Sequence, residues 1–494
     1  MKIKFLPLLV VGFFATTLFM SSCLDNDFEE VVYPAESSIT SFSIGTVKIE
    51  KVVKDTLGRD TTVTDTVSCA HYPFTINQLK RTIENKDSLP VGSDVSKVLA
   101  SITADTRAII YSRRDDKGEL KDTVWTETDS IDFRYPVTFK VFALNGNPGV
   151  PYTVKVNVHK QNPDTLEWSH FVSPQFASGK LNRQKTVCLG DALFTTGTKE
   201  DGTAVLETLS LNHTESGAWK VVTALPDHTN TYSFQVWEDK LYFVADGKLY
   251  RLTNGDAADY QQVGAQEDLV SLVGLGTIAK KKDGSQGTFN YQEVLFAYTA
   301  NEQVVALTTD GAVVSDEPQG FVEDQAFSSL RLSSVQLPTR HNINLTRTIV
   351  IGNNASNDSI SSVYAYTTRD EKWNRLLMKD GACPNLENIS MIKYDNKLYA
   401  FGGGMSSQKI KPFESFYSSI DNGLTWQKVS TQMTFPQEET SKHPDVLPFA
   451  KYYTAGVEGS YSTAVDSNHF IWLVWENGNV TKGRLNRLGF APKW

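Results

Sequence analysis

The residue types that do chemistry are present but thinly spread. Eight histidines stand at His71, His159, His170, His213, His228, His341, His443 and His469, most beside turn residues, and none pairs at ligand spacing. A metal ion held by His, Cys or carboxylate needs such convergence, so no metal site is expected. Cys69, Cys188 and Cys383 are far apart, with no Cys-x-x-Cys, and read as small apolar strand residues. No G-x-S-x-G occurs, so a serine nucleophile elbow is missing from the pattern. Gly402-Gly403-Gly404 runs into Met405 with no following Lys, so it is no phosphate cradle. Lys280-Lys281-Lys282 precedes Asp283-Gly284 and reads as a solvated hairpin tip. No cofactor is implied. The densest group of ligand-contacting types lies between Thr431 and Tyr453, with Phe435, His443, Tyr452 and Tyr453 beside the carboxylates Glu438 and Glu439.

The 494 residues are 40% apolar and 21% charged, which is globular usage and excludes bulk disorder. Nineteen Tyr, 26 Phe and 9 Trp can fill a sizeable core. A formal charge of −9 argues against a nucleic-acid partner, which would need phosphate neutralisation. Four cysteines in such a length are too few for a disulfide scaffold.

Lys2 and Lys4 open the chain, and a mostly apolar run follows from Phe5 to Met20. The run is shorter than the roughly 20 residues of a bilayer span. It ends in Met20-Ser21-Ser22-Cys23. Residues 1–22 therefore read as a secretory signal peptide. They resemble the bacterial lipoprotein signal, which implies that Cys23 becomes the acylated first residue and ties the chain to a membrane. An ordinary signal peptide and a buried helix are the alternatives. Several acyl chains, at about 0.8 kcal/mol per buried CH₂, would anchor the protein stably. Asp25, Asp27, Glu29 and Glu30 make residues 23–36 an acidic tether. That stretch resembles the surface-export signal of Bacteroidetes lipoproteins, and it equally suits a plain solvated linker. No later segment has 18 consecutive apolar residues, so the chain beyond Cys23 is expected to lie outside the bilayer.

Residues 37–160 read as strands. Ser41 to Val53 alternates in part, Asp55 to Asp60 turns at Gly58, and Thr61 to Ser68 returns. Tyr72 to Glu84 has room for one helical turn. The clearest hairpin joins Val137–Ala143 to Tyr152–Val158 through Asn145-Gly146. Strands at this spacing suggest an immunoglobulin-like β-sandwich. The closing hairpin resembles cadherin-like modules.

After Asn162-Pro163-Asp164, residues 164–494 show no convincing amphipathic helix. Apolar strand cores recur at Leu193-Phe194, Leu241-Tyr242, Leu295-Phe296, Ile349-Val350, Leu398-Tyr399 and Ile471-Trp472, with gaps of 48, 54, 54, 49 and 73. An aromatic residue follows most of them, with an apolar one three positions on: Trp219/Val222, Tyr260/Val263, Trp373/Leu376 and Trp426/Val429. The third unit departs, since Phe321 is followed by Asp324. Six units of this size suit a six-bladed β-propeller. The sixth unit lacks its aromatic, and Trp168/Phe171 carries the missing pattern ahead of the first unit. The expected all-β fold is thus a sandwich followed by a propeller closed by an N-terminal strand near Trp168, which leaves no sheet edge open. Other all-β folds with scattered tryptophans are the competing reading. Thr431 to Tyr453 is the insertion behind the longest gap, and loops of that kind often cover a propeller's channel. It is equally readable as a surface excursion. Gly264 to Phe289 is a second candidate segment.

Lys397-Leu-Tyr-Ala-Phe-Gly-Gly-Gly404 resembles a kelch motif, and Ser419-Ile-Asp-Asn-Gly-Leu-Thr-Trp426 fits the Asp-box pattern S-x-D-x-G-x-T-W. In sialidase-like propellers that box is structural and peripheral, so it supports fold rather than chemistry. The arginine signature of a sialidase has only Arg134-Tyr135-Pro136 as a match, and that lies in the sandwich. Taken whole, the chain resembles a family of Bacteroidales lipoproteins with an immunoglobulin- or cadherin-like domain before a kelch-like, Asp-box propeller. That resemblance implies an outer-membrane location, at the cell surface or on the periplasmic face, and brings no activity with it.

The triplet Asp-(Ser/Thr)-(aliphatic or Thr) resembles the O-glycosylation acceptor of Bacteroidetes. It occurs at Thr56, Thr61, Thr66, Ser88, Thr123, Ser130, Thr165 and Ser359, eight times against about two by chance. Asp-Thr pairs also suit strand ends and Asx turns. The expectation for the whole is a lipid-anchored binding or scaffolding protein whose propeller face meets a glycan or a protein partner, and no nucleic acid. The alternatives are an envelope enzyme acting on carbohydrate in the propeller channel and a purely structural envelope component.

Overall fold

A computed structural model describes residues 33–490, apart from 55–58, 115–117, 172–174, 212–216, 253–258, 282–288, 315–320, 322–326, 340–341, 343, 358, 379, 430–432 and 438–447. Cys23, Thr56, Glu438, Glu439 and His443 therefore lie outside the described residues. The chain divides into two compact units at Asn162/Pro163. Among the described residues there is no α-helix, only strands and short 3₁₀ turns, and no helix long and apolar enough to cross a membrane.

In the first unit, period-2 alternation sets the layers. Val137–Phe142 buries Val137, Phe139 and Val141, and Tyr152–Lys155 buries Tyr152 and Val154 opposite them, with Val137 facing Val154 and Phe139 facing Tyr152. These strands are central in a six-stranded sheet ordered Phe74–Asn77, Thr82–Asn85, Tyr152–Lys155, Val137–Phe142, Ala108–Arg114, Leu120–Val124. A three-stranded sheet of Ile39–Ile44, Val98–Ala104 and Ser130–Ile131 supplies Phe42, Ile44 and Val98 to the same apolar cluster. Two expectations are corrected here. Ser41 to Val53 is not one strand, because the chain passes at Gly45 from Ile39–Ile44 to Thr46–Lys54, which pairs with Asp60–Ser68 in a separate sheet. Tyr72 to Glu84 holds no helical turn. The 3₁₀ turn lies earlier, at Cys69–His71, and Phe74–Asn77 pairs with Thr82–Asn85, because Phe74 and Ile76 alternate toward the core as strand residues do.

Among the described residues the second unit holds six sheets. Sheet one is Asn182–Leu189, Ala192–Thr198, Ala204–Ser210 and Lys220–Ala224. Sheet two is Gln235–Trp237, Lys240–Ala245, Lys248–Leu252 and Tyr260–Val263. Sheet three has three strands among the described residues, Leu269–Lys281, Phe289–Thr299 and Val304–Leu307. Sheet four is Ser333–Pro338, Thr346–Gly352, Ser362–Thr367 and Lys372–Arg375. Sheet five is Ser390–Tyr394, Lys397–Phe401, Tyr417–Ser419 and Gln427–Lys428. Sheet six is Tyr461–Val465, Ile471–Trp475 and Val480–Leu485, with Leu166–Phe171 as its fourth strand.

Apolar packing joins each sheet to the next. Phe194 meets Leu241 and Phe243 between sheets one and two. Trp237 and Leu295 meet between two and three. Phe296 meets Tyr364 and Trp373 between three and four. Ile349 meets Leu398 and Trp426 between four and five. Phe401 meets Tyr461 and Trp475 between five and six. Leu193 and Trp219 of the first sheet region meet Trp472 and Val474 of the sixth. The aromatic before or within each fourth strand follows one rule: it wedges against the preceding sheet. Trp219, Tyr260, Trp373, Trp426 and Trp168 all obey it. Phe321, where the repeat departs in sequence, packs forward instead, on Tyr364 and Trp373 of sheet four.

The strand carrying Trp168 is antiparallel to the last strand, with Leu166 opposite Leu485, Trp168 opposite Gly483 and Phe171 opposite Val480. A Cβ on Gly483 would overlap the Trp168 ring, so this position needs glycine for close approach. The Trp168 indole donates Nε1–H to the Thr434 carbonyl at 2.8 Å, and its ring meets Phe435 and Phe449 at 5.7 and 4.8 Å between centroids. Arg487 pairs with Asp164 at the Leu166/Leu485 end of this seam and with Asp395 in the turn of sheet five.

Trp168→Ala removes a buried wedge and is expected to cost about 3–5 kcal/mol, read as a lowered denaturant midpoint of the full chain. An unchanged midpoint would show that this strand does not hold the sixth sheet.

Candidate functional site

Of the residues proposed from sequence as ligand contacts, Phe435 and Tyr453 are buried and Tyr452 is half-buried. Phe435 is only 3% exposed, stacked on Phe416 at 4.0 Å and on Trp168, inside the cluster between sheets five and six. Tyr453 is 7% exposed, and its hydroxyl accepts from Asn388 Nδ2 at 2.9 Å. Burial drives the Tyr453 hydroxyl pKa well above its ordinary value. Tyr452 is half-buried, stacked on Trp475 at 5.3 Å. The expectation for Phe435 and Tyr453 is corrected by this packing. The described parts of the insertion fold inward, because a row of aromatics gains more from filling the gap between two sheets than from lying in water.

Tyr453 leads to the Gly triplet. A Cβ on Gly403 would overlap the Tyr453 ring. Gly403 N–H donates to the Glu387 carbonyl at 2.6 Å, and Glu387 N–H donates back to the Gly404 carbonyl at 2.7 Å. Gly404 has φ +98°, where only glycine is unstrained. The triplet thus lets three segments pack closely and leaves a cleft of about 410 Å³ beside them. Asn385, Glu387, Gly403, Ser406 and Ala455 line it. Glu387 accepts from the Gly456 N–H, which fixes one carboxylate at the rim. A carboxylate, a hydroxyl and exposed backbone suit hydrogen bonding to a hydroxyl-rich ligand.

A second cavity lies between the first strands of sheets one, four, five and six. The first strands of the six sheets touch in cyclic order, sheet one with two, two with three, and so on, with sheet six against sheet one. The cavity is about 30 Å³, lined by Gln184, Lys185, Arg331, Ser390, Ser462 and Thr463 among others. Lys185 of sheet one donates its Nζ–H to the Leu332 carbonyl at 3.1 Å, just before sheet four. Arg331 donates to the Ile389 carbonyl at 2.6 Å, to Ser390 Oγ at 3.1 Å and to the Tyr461 carbonyl at 3.2 Å. Burial and then the Arg331 charge lower the Lys185 pKa to about 8. Nothing in the sequence marked this pair, since the two residues belong to no common motif.

Residues 162–493 match the DUF6242 beta propeller domain, and residues 42–156 match the DUF6242 N-terminal domain. The chain belongs to the DUF6242 family. Its second unit is a β-propeller domain. No curated protein matches the chain. Among solved structures, it is similar to a triple arginine-to-alanine mutant of AofleA from Arthrobotrys oligospora, at 11% identity and TM-score 0.37, over 64% of this chain and 86% of that one. It is also similar to the six-bladed Aleuria aurantia lectin, at 10% identity and TM-score 0.34, over 65% and 100%. A Trichoderma reesei carbohydrate-active enzyme of family AA12 matches at 10% and 0.35, over 64% and 96%.

Within this DUF6242 propeller the S-x-D-x-G-x-T-W segment is a turn lock. Asp421 accepts from Ser419 Oγ, Thr425 N–H and Thr425 Oγ at 2.8, 2.9 and 2.6 Å, and Ser419 Oγ accepts from Gly423 N–H at 2.8 Å. Trp426 Nε1–H returns to the Gly423 carbonyl at 3.0 Å. Burial raises the Asp421 pKa, but the bonds from Thr425 and Ser419 outweigh it and hold the carboxyl below the usual value. Of the Asp-Ser/Thr triplets, Thr61, Thr66, Ser130 and Ser359 are exposed, while Ser88, Thr123 and Thr165 are half-buried. Their aspartates also serve locally: Asp65 accepts from Thr66 N–H and from Lys51, and Asp122 from Ser112 Oγ.

Gly403→Ala is expected to destabilise by about 1–3 kcal/mol, because the Tyr453 ring must move, and thermal unfolding of the full chain measures it. Asp421 has a lowered folded pKa, so its contribution is present above the unfolded value of about 3.9 and is lost as pH falls through the folded pKa. Asp421→Asn should therefore lower stability at pH 7 and shrink the acid-induced loss between about pH 5 and 2, measured by denaturant midpoints across that range.

Proposed function

We propose that this DUF6242 protein is a lipid-anchored envelope protein that binds a glycan or protein partner through its propeller. In this reading, acylated Cys23 holds it at the outer membrane, at the cell surface or on the periplasmic face. An immunoglobulin-like sandwich then carries a closed, six-bladed ring. The apolar cluster between sheets six and one supports closure, as does the fourth strand of sheet six from the start of the unit. Facing inner and outer layers with one shared core support the sandwich.

The observation that carries the binding reading is the division of space between the two cavities. Lys185 and Arg331 occupy the smaller one and leave about 30 Å³, room for about two waters and none for a sugar ring. The cleft beside Gly403 is ligand-sized, and among the described residues its lining offers one carboxylate, Glu387. Glycoside hydrolysis by the usual route needs two facing carboxyl groups about 5–9 Å apart. Recognition needs only placed hydrogen-bond partners. Exposed Thr61, Thr66, Ser130 and Ser359 are the favoured O-glycan acceptors in the same picture.

Full-length chain in detergent, applied to a glycan array and a panel of envelope proteins, should bind at least one member saturably and release no product from it. Ala455→Trp, which fills the cleft, should weaken that binding at least tenfold with an unchanged unfolding midpoint. Released sugar, or binding indifferent to Ala455→Trp, would overturn the assignment. Cys23→Ser should move the protein from the membrane to the soluble fraction and remove the acyl mass.

A further inference from the structure

Two cations meet where sheets one, four, five and six converge, with no carboxylate beside them among the described residues. Arg331 is 8% exposed, and among the described residues all its partners are neutral: the Ile389 and Tyr461 carbonyls, Ser390 Oγ and the Tyr461 ring, 5.1 Å away. Its Nε has no hydrogen-bond partner. Lys185 has one acceptor, the Leu332 carbonyl, for an ammonium that carries three donors. Thr463 Oγ1, on the same cavity wall, is buried without a partner. Glu458, whose charge reaches Tyr232 together with that of Arg331, is already held by Arg183 at 3.3 Å.

Like charges brought together repel, and Arg331, buried, and Lys185, half-buried, each lose hydration that neutral carbonyls restore only in part. The cation over the Tyr461 ring offsets a little of this. A buried charge is ordinarily paired. Here the pair, the spare donors and a void of about 30 Å³ coincide.

We propose that Lys185 and Arg331 form an anion site on the propeller axis, which takes one oxyanion group: a carboxylate, phosphate or sulfate. The void admits the head of such a group and no larger body. Lys185 would supply a point charge with free donors, Arg331 its charge and the unpaired Nε–H, and Thr463 a hydroxyl. Lys185 reaches from sheet one to the approach to sheet four, and Arg331 from there to sheets five and six. An anion between them would therefore tie four of the six sheets through one charge. The site is independent of the cleft beside Gly403 and of any membrane anchor.

Isothermal calorimetry on the full chain at pH 7 and fixed ionic strength tests it, with sodium phosphate, sodium sulfate and sodium glucuronate as probes. One saturable site is expected for at least one probe, with Kd of about 1 mM or tighter. The thermal midpoint should rise with that probe by mass action. Lys185→Met should weaken binding at least tenfold, and Lys185→Arg should stay within about threefold. Preference for phosphate or sulfate assigns a free inorganic ion, and preference for glucuronate assigns the carboxylate of an organic ligand. No saturable binding up to about 20 mM, or Lys185→Met binding like the parent, overturns the site. Neither outcome bears on glycan-array binding through the cleft, so the two readings fail separately.

Discussion

Hydrogen bonds between Leu166–Phe171 and Val480–Leu485 bring the first and last strands of the second unit into one sheet. Everything else in that unit is local, since each of the other sheets is built from consecutive strands. This seam is the one sheet pairing of the unit, among the described residues, that joins two distant segments, and the entropy of closing so long a loop grows only slowly with its length. Its return is large. It supplies the wedge between sheets five and six, gives Val480–Leu485 a partner on its outer side, and places Asp164 beside Arg487. Without it, sheet six would present an unpaired edge and an aromatic-lined gap. The inner strands, and hence the position of Lys185 relative to Arg331, depend on that arrangement holding.

Much of this was legible in the sequence, because the repeat is written in packing residues. Leu193-Phe194 through Ile471-Trp472 mark the second strand of every sheet, and the aromatics that follow mark the wedges. The displaced wedge at Trp168 could be found because it was missing elsewhere. The change of sheet at Gly45 has no such mark, since one glycine in an alternating stretch does not announce it. Phe435 and Tyr453 were misread for a related reason: an aromatic segment that breaks the period looks like a binding loop until the gap that it fills is seen. Lys185 and Arg331 leave no trace at all in spacing, because residues that meet on an axis share neither strand nor repeat position.

The two cavities divide the labour of the propeller in a way that composition could not suggest. Cations and hydroxyls line the smaller cavity, where sheets one, four, five and six converge. The broader concavity lies where Gly402 to Gly404 and the inward-folded insertion bring sheets five and six together. Both rest on small residues at crowded points. Asp421 and its ring of hydroxyl and amide donors do the same work at the periphery, fixing the turn that delivers Trp426 to its wedge.

The seam also imposes an order of events on the growing polypeptide. Leu166–Phe171 emerges from the ribosome long before its mate, and at roughly 5–20 residues per second the delay lasts on the order of half a minute. Throughout that interval a Trp-bearing ribbon waits with its main-chain donors unmatched, able to zip onto any neighbouring nascent chain. A transient guardian that shields such ribbons would therefore matter more to the yield of this molecule than to that of a protein whose strands all pair with their sequence neighbours.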